Sequence, residues 1–222
     1  MKKAILFLAC CMIAMAASAT KFSEKVYVTL ADSTKFEGYT STHMINYLRP
    51  DVSKISISRE EGGNETEYTS EQVAELVFPP SEGDSIFAVY HPVRAQKYMP
   101  NAWKKSPKTY KKPIFLRMIY NGDNVKGYVR PALDTTNTPS MSVNNYSWIY
   151  YYKLNDEDIA KAYWFATRDL IFGMRKVMKF YFREFPGIVK LIDDGVLDPS
   201  DFRENPLIVL PLIDAELASR KQ

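Results

Sequence analysis

The sequence has 222 residues, of which 46% are hydrophobic and 25% charged, and its formal net charge at neutral pH is +3. A chain of this length buries enough apolar surface to fold without disulfides, as one large domain or two small ones. The small net charge excludes the overall basic field that DNA- and RNA-binding proteins present. Any electrostatic function must therefore be local.

Residues 1–19 have the three parts of a secretory signal peptide. Lys2 and Lys3 precede an apolar run, and the triplet A-S-A that ends at Ala19 matches a cleavage site. The run is shorter than the about 20 apolar residues that cross a bilayer. We therefore predict cleavage after Ala19 and secretion to the periplasm or the cell envelope.

The only two cysteines, Cys10 and Cys11, lie inside this segment. Cleavage after Ala19 removes both, so the mature chain has no thiol nucleophile and no disulfide. One alternative stays open, because the stretch L-F-L-A-C also resembles a lipoprotein signal and would place a lipid anchor on Cys10 or Cys11. The short apolar segment before Cys10 favours cleavage after Ala19.

The next segment, 20–154, has the period-two alternation of antiparallel strands. Predicted strands are KVYVTL (25–30), KFEGYTS (35–41), KISISRE (54–60), TEYTS (66–70) and DSIFAVYHPV (84–93). The stretch SEQVAEL (70–76) predicts one or two helical turns. Asn121-Gly122 predicts a hairpin turn, because this dipeptide readily adopts positive φ.

A polar stretch without any period, 132–145, predicts a loop, and the aromatic segment YSWIYYYKL (146–154) follows it. Alternation along a strand puts two groups on opposite sides: Trp148, Tyr150 and Tyr152 on one, Ile149 and Tyr151 on the other. We interpret the segment as a central strand whose Trp148 side packs under C-terminal helices. The alternative is an aromatic platform for a ligand.

From Asn155 the pattern changes to that of an amphipathic helix. Asn155 is a good N-cap, and the acidic residues 156–158 suit the positive end of a helix dipole. Apolar residues recur at spacings of three and four, at Ile159, Tyr163, Ala166, Leu170, Met174, Val177, Tyr181 and Phe185. We therefore predict one long helix over 155–185.

Shorter helices are predicted for the rest of the chain. Pro186 opens one of them, and Asp198-Pro199 indicates an N-cap followed by proline at the first helical position. Pro206 and Pro211 break or restart the remainder. Strands first and helices after predict an α+β fold, in which an N-terminal antiparallel sheet (20–154) is covered by a C-terminal set of helices (155–222).

Four stretches in this order resemble the uncharacterised exported proteins of Bacteroides-type bacteria. They are VYVTLADSTKFEGYTS, KISISREEGGNETEYTSEQVAELVF, YYYKLNDED and FYFREFPGIVKLIDDG. The resemblance extends over most of the mature chain and involves no catalytic signature. It implies a periplasmic or envelope location and assigns no activity. Such proteins often carry a cysteine before the proline of the second helix, where this chain has Phe185.

The resemblance also implies a candidate modification. Exported proteins of such bacteria can be O-glycosylated at Asp followed by Ser or Thr and then an apolar residue or Thr, and Asp134-Thr135-Thr136 matches this pattern. Thr135 is our candidate because it lies in a predicted loop. The alternative is an ordinary turn residue.

The sequence contains no recognisable catalytic signature. His43 and His91 are the only histidines, and no G-x-S-x-G motif or His pair at metal-ligand spacing occurs. The acidic run 156–158 is explained by helix capping rather than by acid–base chemistry. We therefore expect a non-enzymatic protein without a metal or a cofactor.

One segment, WKKSPKTYKK (103–112), is a candidate binding site. It concentrates cations and aromatic rings, at Trp103, Lys104, Lys105, Lys108, Tyr110, Lys111 and Lys112. Such a group can bind anionic lipid headgroups or an acidic glycan. The alternative is a solvated loop whose lysines discourage edge pairing.

These observations predict an exported periplasmic or envelope protein with a non-enzymatic binding or structural role. Its partner would be an envelope protein, an anionic lipid surface or a glycan, and not nucleic acid. The alternative is a carbohydrate-binding module or a glycan hydrolase that uses Trp103, Trp148 or a nearby Tyr with an Asp/Glu pair. A Trp ring exposed in a groove beside a carboxylate would favour this alternative.

Overall fold

The computed structural model describes residues 23–41, 53–80, 85–98, 107–137, 142–166 and 173–221. For residues 133–137 and 142–146 it describes the backbone alone. The predicted signal peptide, with Cys10 and Cys11, lies outside these ranges, as does His43. Among the described residues, no helix has both the length and the apolar character that crossing a membrane requires.

Ten strands lie in the described ranges. They are β1 (Glu24–Leu30), β2 (Lys35–Thr40), β3 (Lys54–Ile57), β4 (Thr66–Thr69), β5 (Val73–Phe78), β6 (Ala88–Ala95), β7 (Ile114–Asn121), β8 (Val125–Asn137), β9 (Ser142–Leu154) and β10 (Ile159–Phe165). Eight of them form one mixed sheet in the order β10-β9-β8-β7-β6-β5-β1-β2, and β3 and β4 pair as a hairpin. The first four predicted strands correspond to β1–β4.

Strands β6 to β10 close into a ring. β10 pairs with β9 on one side and, in parallel, with β6 on the other, through Ile159 with Arg94 and Ala160 with Ala95. This parallel contact corrects the prediction of a purely antiparallel sheet. Side chains of these strands form one buried cluster together with Tyr110, which precedes β7. The strand members are Val93, Ala95, Ile114, Leu116, Tyr128, Ala132, Ile149, Tyr151, Ala160 and Ala162. The alanines leave room inside a narrow ring for the tyrosines.

The prediction of helical turns at 70–76 is wrong. Residues 70–72 form a turn, and β5 begins at Val73. Val73, Leu76 and Phe78 are buried in an apolar cluster with β1 and the β3–β4 hairpin. That burial overrides the weak local preference for a helix.

The prediction of a loop at 132–145 is also wrong. β8 and β9 continue through most of it, and Thr135 pairs with Asn144 along the ladder. Backbone hydrogen bonds between two long strands carry this extension, so it needs no alternation of apolar side chains. Thr135, the candidate for glycosylation, therefore lies in a paired strand.

The long helix predicted over 155–185 is wrong as well. Residues 155–158 form a turn and Ile159–Phe165 is strand β10, so Asn155 caps no helix. Ala160 and Ala162 belong to the ring interior, whereas Tyr163 and Trp164 belong to the cluster shared with the helices. A strand buried on both faces is apolar at almost every position, and such a run also satisfies helical spacing.

The described helices are α1 (Met174–Tyr181), α2 (Pro186–Asp193), α3 (Pro199–Glu204) and α4 (Val209–Ser219). Pro186 lies in the first turn of α2, and Asp198 forms a capping box at the start of α3, as predicted. A turn over 206–208 confirms the break at Pro206, but Pro211 lies in the first turn of α4 without breaking it. There the missing N–H would have had no helical partner.

The helices share one apolar cluster with strands β8 to β10. Its buried members are Val125, Tyr152, Tyr163, Trp164, Met174, Val177, Met178, Tyr181, Phe182, Phe185, Ile188, Ile192, Leu197, Phe202, Val209, Leu210 and Ile213. Tyr150 and Tyr152 pack in this cluster and Ile149 and Tyr151 in the ring interior, which confirms the predicted alternation of the aromatic strand. Trp148 is half-buried. The fold is a sheet-dominated α+β structure with its helices in the C-terminal part.

Asp214 on α4 holds the turn between β7 and β8. Its Oδ1 accepts hydrogen bonds from the backbone N–H of Asn124 at 2.7 Å and from Asn124 Nδ2 at 3.0 Å. Its Oδ2 accepts from the N–H of Asp123 at 3.2 Å and from the Tyr120 hydroxyl at 3.3 Å. A Cβ at Gly122 would collide with this carboxylate, so the glycine is needed for close approach rather than for positive φ.

Replacing Asp214 with asparagine should lower the free energy of unfolding by about 1–2 kcal/mol near neutral pH, because charge-assisted hydrogen bonds become neutral ones. Burial acts to raise the pKa of Asp214, but the hydrogen bonds from Asn124, Asp123 and Tyr120 together lower it. A lowered pKa stabilises the fold above about pH 4 and loses that effect as the pH falls below it. Urea unfolding should show the gap between wild type and Asp214→Asn closing below about pH 4. The exposed Asp156→Asn variant is the control, and a gap independent of pH would contradict the prediction.

Candidate functional site

The described part of the lysine-rich segment lies beside the end of β6. The backbone N–H of Lys97 donates to the carbonyl of Lys108 at 2.6 Å, and the N–H of Tyr110 donates to the carbonyl of Ala95 at 2.9 Å. Thr109 forms a bridge with Gln96. These contacts hold residues 108–110 in extended form against the ring.

A concavity of about 400 Å³ opens where this segment meets the end of β6. It is lined by Ser53, Lys97, Lys108, Thr109, Tyr110, Lys111, Lys112 and Ile114. We call these eight residues the lysine cup. Four of them are lysines, and the cup contains no carboxylate among the described residues. The predicted residues Lys108, Tyr110, Lys111 and Lys112 are therefore brought together, while Trp103, Lys104 and Lys105 lie outside the described residues.

Most of the positive charge of the cup is not neutralised by any residue that the structure describes. Lys112 lies 3.5 Å from Glu71, in a pair in which both side chains are exposed. Within the described ranges, Lys97, Lys108 and Lys111 have no ion-pair partner, and all three are exposed. Exposed ammonium groups repel one another where they converge, and an anion in the cup would relieve that repulsion.

Tyr110 connects the cup to the interior of the ring of strands β6 to β10. Its side chain is 8% exposed, and the Nζ of Lys97 lies 4.9 Å from the centre of its ring. On the inner side, Arg130 Nη2 donates a hydrogen bond of 2.7 Å to the Tyr110 hydroxyl. Two cations therefore act on one phenol ring, Lys97 from the segment after β6 and Arg130 from β8.

Arg130 is the buried cation of the ring. It is 7% exposed, its Nε donates to the Tyr151 hydroxyl at 2.9 Å, and its Nη1 donates to the Pro131 carbonyl at 3.2 Å. A guanidinium cannot lose its charge in a protein, so these oxygens compensate for its removal from water. Sequence reasoning missed Arg130, although a charged residue in step with Tyr128 and Ala132 on one strand face was a usable signal.

A second polar group joins three strands near the ring. His91 Nε2 lies 3.2 Å from Glu75 Oε2, and His91 Nδ1 lies 3.3 Å from the Tyr128 hydroxyl. Burial raises the pKa of Tyr128 to about 12, so the phenol keeps its proton at neutral pH. In the tautomer with its proton on Nε2, His91 donates to the Glu75 carboxylate, and Nδ1 accepts from the Tyr128 hydroxyl. A protonated, buried phenol is a poor nucleophile, so this group ties strands together rather than forming a catalytic triad.

In the described part of the chain, no three His, Cys, Asp or Glu side chains come together as a metal site. Sequence reasoning missed four of the lining residues: Ser53, Lys97, Thr109 and Ile114. Two of them, Ser53 and Lys97, come from other parts of the chain. Comparison with family models, with curated proteins and with solved structures finds no match for this chain.

Proposed function

We propose that this chain is an exported, non-enzymatic binding protein of the periplasm or cell envelope, and that the lysine cup binds an anionic ligand. The observation that carries the proposal is the convergence of four lysines on one concavity whose described lining holds no carboxylate. Three of these lysines have no ion pair among the described residues. In this proposal the helices cover the outer face of β8–β10 and serve as scaffold.

The glycan hydrolase alternative has less support from the same geometry. Glycoside hydrolysis needs two carboxyl groups on either side of a bond. The described lining of the lysine cup includes neither Asp nor Glu. Trp148 is half-buried and Trp103 lies outside the described residues, so no exposed Trp beside a carboxylate supports that chemistry.

Removing the free charges of the cup should weaken polyanion binding about 10- to 100-fold, since each exposed cation contributes about 0.5–1 kcal/mol. The test compares the mature wild type with the Lys97→Gln, Lys108→Gln, Lys111→Gln triple variant. The probe is dextran sulfate, with neutral dextran beside it, and binding is measured at about 0.05 M and 0.5 M salt. The wild type should bind dextran sulfate with an affinity that falls as salt is added, and it should not bind neutral dextran.

The matched control loses the same charge elsewhere, through Lys35→Gln, Lys153→Gln and Lys176→Gln. None of these lysines lines the cup, so this variant should bind close to wild type. If both triple variants lose affinity equally, binding follows net charge and the cup is not the site.

Export is tested separately on protein secreted by a bacterial host. Cleavage at the predicted position gives a mature chain that begins at Thr20. An intact mass that retains residues 1–19, or a lipid on Cys10 or Cys11, would contradict this part of the proposal. The same spectrum from the native host reports any sugar, which peptide mapping would assign to Thr135 or elsewhere.

A further inference from the structure

We propose that the ligand of the lysine cup is an acidic oligosaccharide, whose carboxylates contact the lysine ammonium groups and whose hydroxyls contact Ser53 and Thr109. This inference rests on the proposed function, because it names the class of anion that the same site takes. Three features of the cup carry it: the kind of cation, the other lining groups and the shape.

The cations of the cup are separate lysines rather than arginines. A lysine ammonium is a compact point charge with no fixed bidentate geometry, whereas arginine matches one planar carboxylate or phosphate. Lys97 lies on the chain after β6, and Lys108, Lys111 and Lys112 lie on the facing segment. Positive charges spread over two segments of the chain suit a ligand that carries several anionic groups along its length.

The other lining groups suit a ligand that also carries hydroxyls. Ser53 and Thr109 each bring a hydroxyl, which can both donate and accept a hydrogen bond. Tyr110 and Ile114 supply apolar surface, but Tyr110 is 8% exposed and Ile114 is 2% exposed. Little ring surface is therefore open for stacking, so a sugar would be held mainly through its charges and hydroxyls.

The shape of the cup favours a small ligand over a membrane surface. A volume of about 400 Å³ lies within the usual range of small-molecule sites, roughly 300–1,000 Å³. Protein segments that lie on membranes insert apolar side chains beside their cations. The exposed large apolar residues of the described chain are Tyr27, Ile86, Phe87 and Val196, and none of them lines the cup.

The experiment titrates the mature chain with trigalacturonate by calorimetry. Its methyl ester keeps the sugar and removes the charge, and citrate keeps three carboxylates and removes the sugar ring. We expect trigalacturonate to bind at least about tenfold more tightly than either, because each lacks one of the two sets of contacts. Ser53→Ala with Thr109→Val should weaken trigalacturonate binding by about threefold to tenfold, because two hydroxyl contacts to the sugar are removed.

Other outcomes overturn the inference in distinguishable ways. Equal affinity for citrate and trigalacturonate, or no effect of the Ser53→Ala and Thr109→Val pair, would mean a general anion site and leave the proposed function standing. Binding only to vesicles containing phosphatidylglycerol, and not to trigalacturonate, would mean a lipid surface. If neither dextran sulfate nor trigalacturonate binds, the proposed function itself fails.

Discussion

Replacing Phe202 with alanine should lower the free energy of unfolding by about 3–5 kcal/mol, the usual cost of deleting a buried aromatic ring. Phe202 is the buried residue of the short helix α3 and is 0% exposed. The centre of its ring lies 5.3 Å from that of Trp164 on β10 and 5.7 Å from that of Phe182 after α1. The deletion would leave a cavity where three elements meet, and the rings of Tyr163, Trp164 and Phe182 limit how far it can collapse.

Urea unfolding followed by far-ultraviolet circular dichroism measures this loss without depending on the fluorescence of Trp164. Val196→Ala is the control, because Val196 is 68% exposed and its truncation should change stability by less than about 0.5 kcal/mol. A loss below about 1 kcal/mol for Phe202→Ala would mean that α3 adds little to the fold.

Replacing Arg130 with methionine should cost about 3 kcal/mol, even though methionine fills much of the same volume. The guanidinium donates to the hydroxyls of Tyr110 and Tyr151 inside the ring. Without it, two buried phenol oxygens each lose a charged donor, and a hydrogen bond to a charged group is worth about 1.5–3 kcal/mol. The free energy of unfolding of Arg130→Lys should lie between those of wild type and Arg130→Met, because lysine keeps the charge but not the planar set of donors.

The matched control for Arg130→Met is Arg94→Met, on the same ring but exposed to solvent. It removes one positive charge without breaking a buried hydrogen bond, so its effect on urea unfolding should be small. Equal stability of Arg130→Met and wild type would show that the buried cation is replaceable by apolar packing, as some buried ion pairs are.

Period-two patterning predicted the strands well where one face is buried and the other is wet. It also assigned Tyr150 and Tyr152 to the helix side and Tyr151 to the opposite side, because alternation in a strand is fixed by geometry. Helix caps also depend on local sequence, so Asp198 and Pro199 alone predicted the start of α3.

The same reasoning failed where a strand is buried on both faces, and where its pairing partner is far away in the sequence. β10 faces the ring with Ala160 and Ala162 and the helices with Tyr163 and Trp164, so its sequence shows no alternation to detect. The parallel contact of Ala160 with Ala95 depends on the whole course of the chain between them. No local pattern contains that information.

The candidate site was predictable only in part for a related reason. The lysines of 108–112 stand out as a run in the sequence. Ser53 and Lys97 come to the cup through strand pairing, and Arg130 reaches it from inside the ring through Tyr110. A run of charge can thus indicate where a site lies, but its walls come from segments distant in the chain.

The parallel contact between β6 and β10 also sets an order of events during biosynthesis. Arg94 and Ala95 leave the ribosome, and in an exported chain also the translocation channel, well before Ile159 and Ala160, their eventual partners. Until those partners emerge, one edge of the nascent sheet has unpaired amides and carbonyls that can capture a second polypeptide. Chains that terminate prematurely, before residue 159, should therefore aggregate or require a chaperone, and shortening the gene from its 3′ end is a poor route to a smaller soluble product.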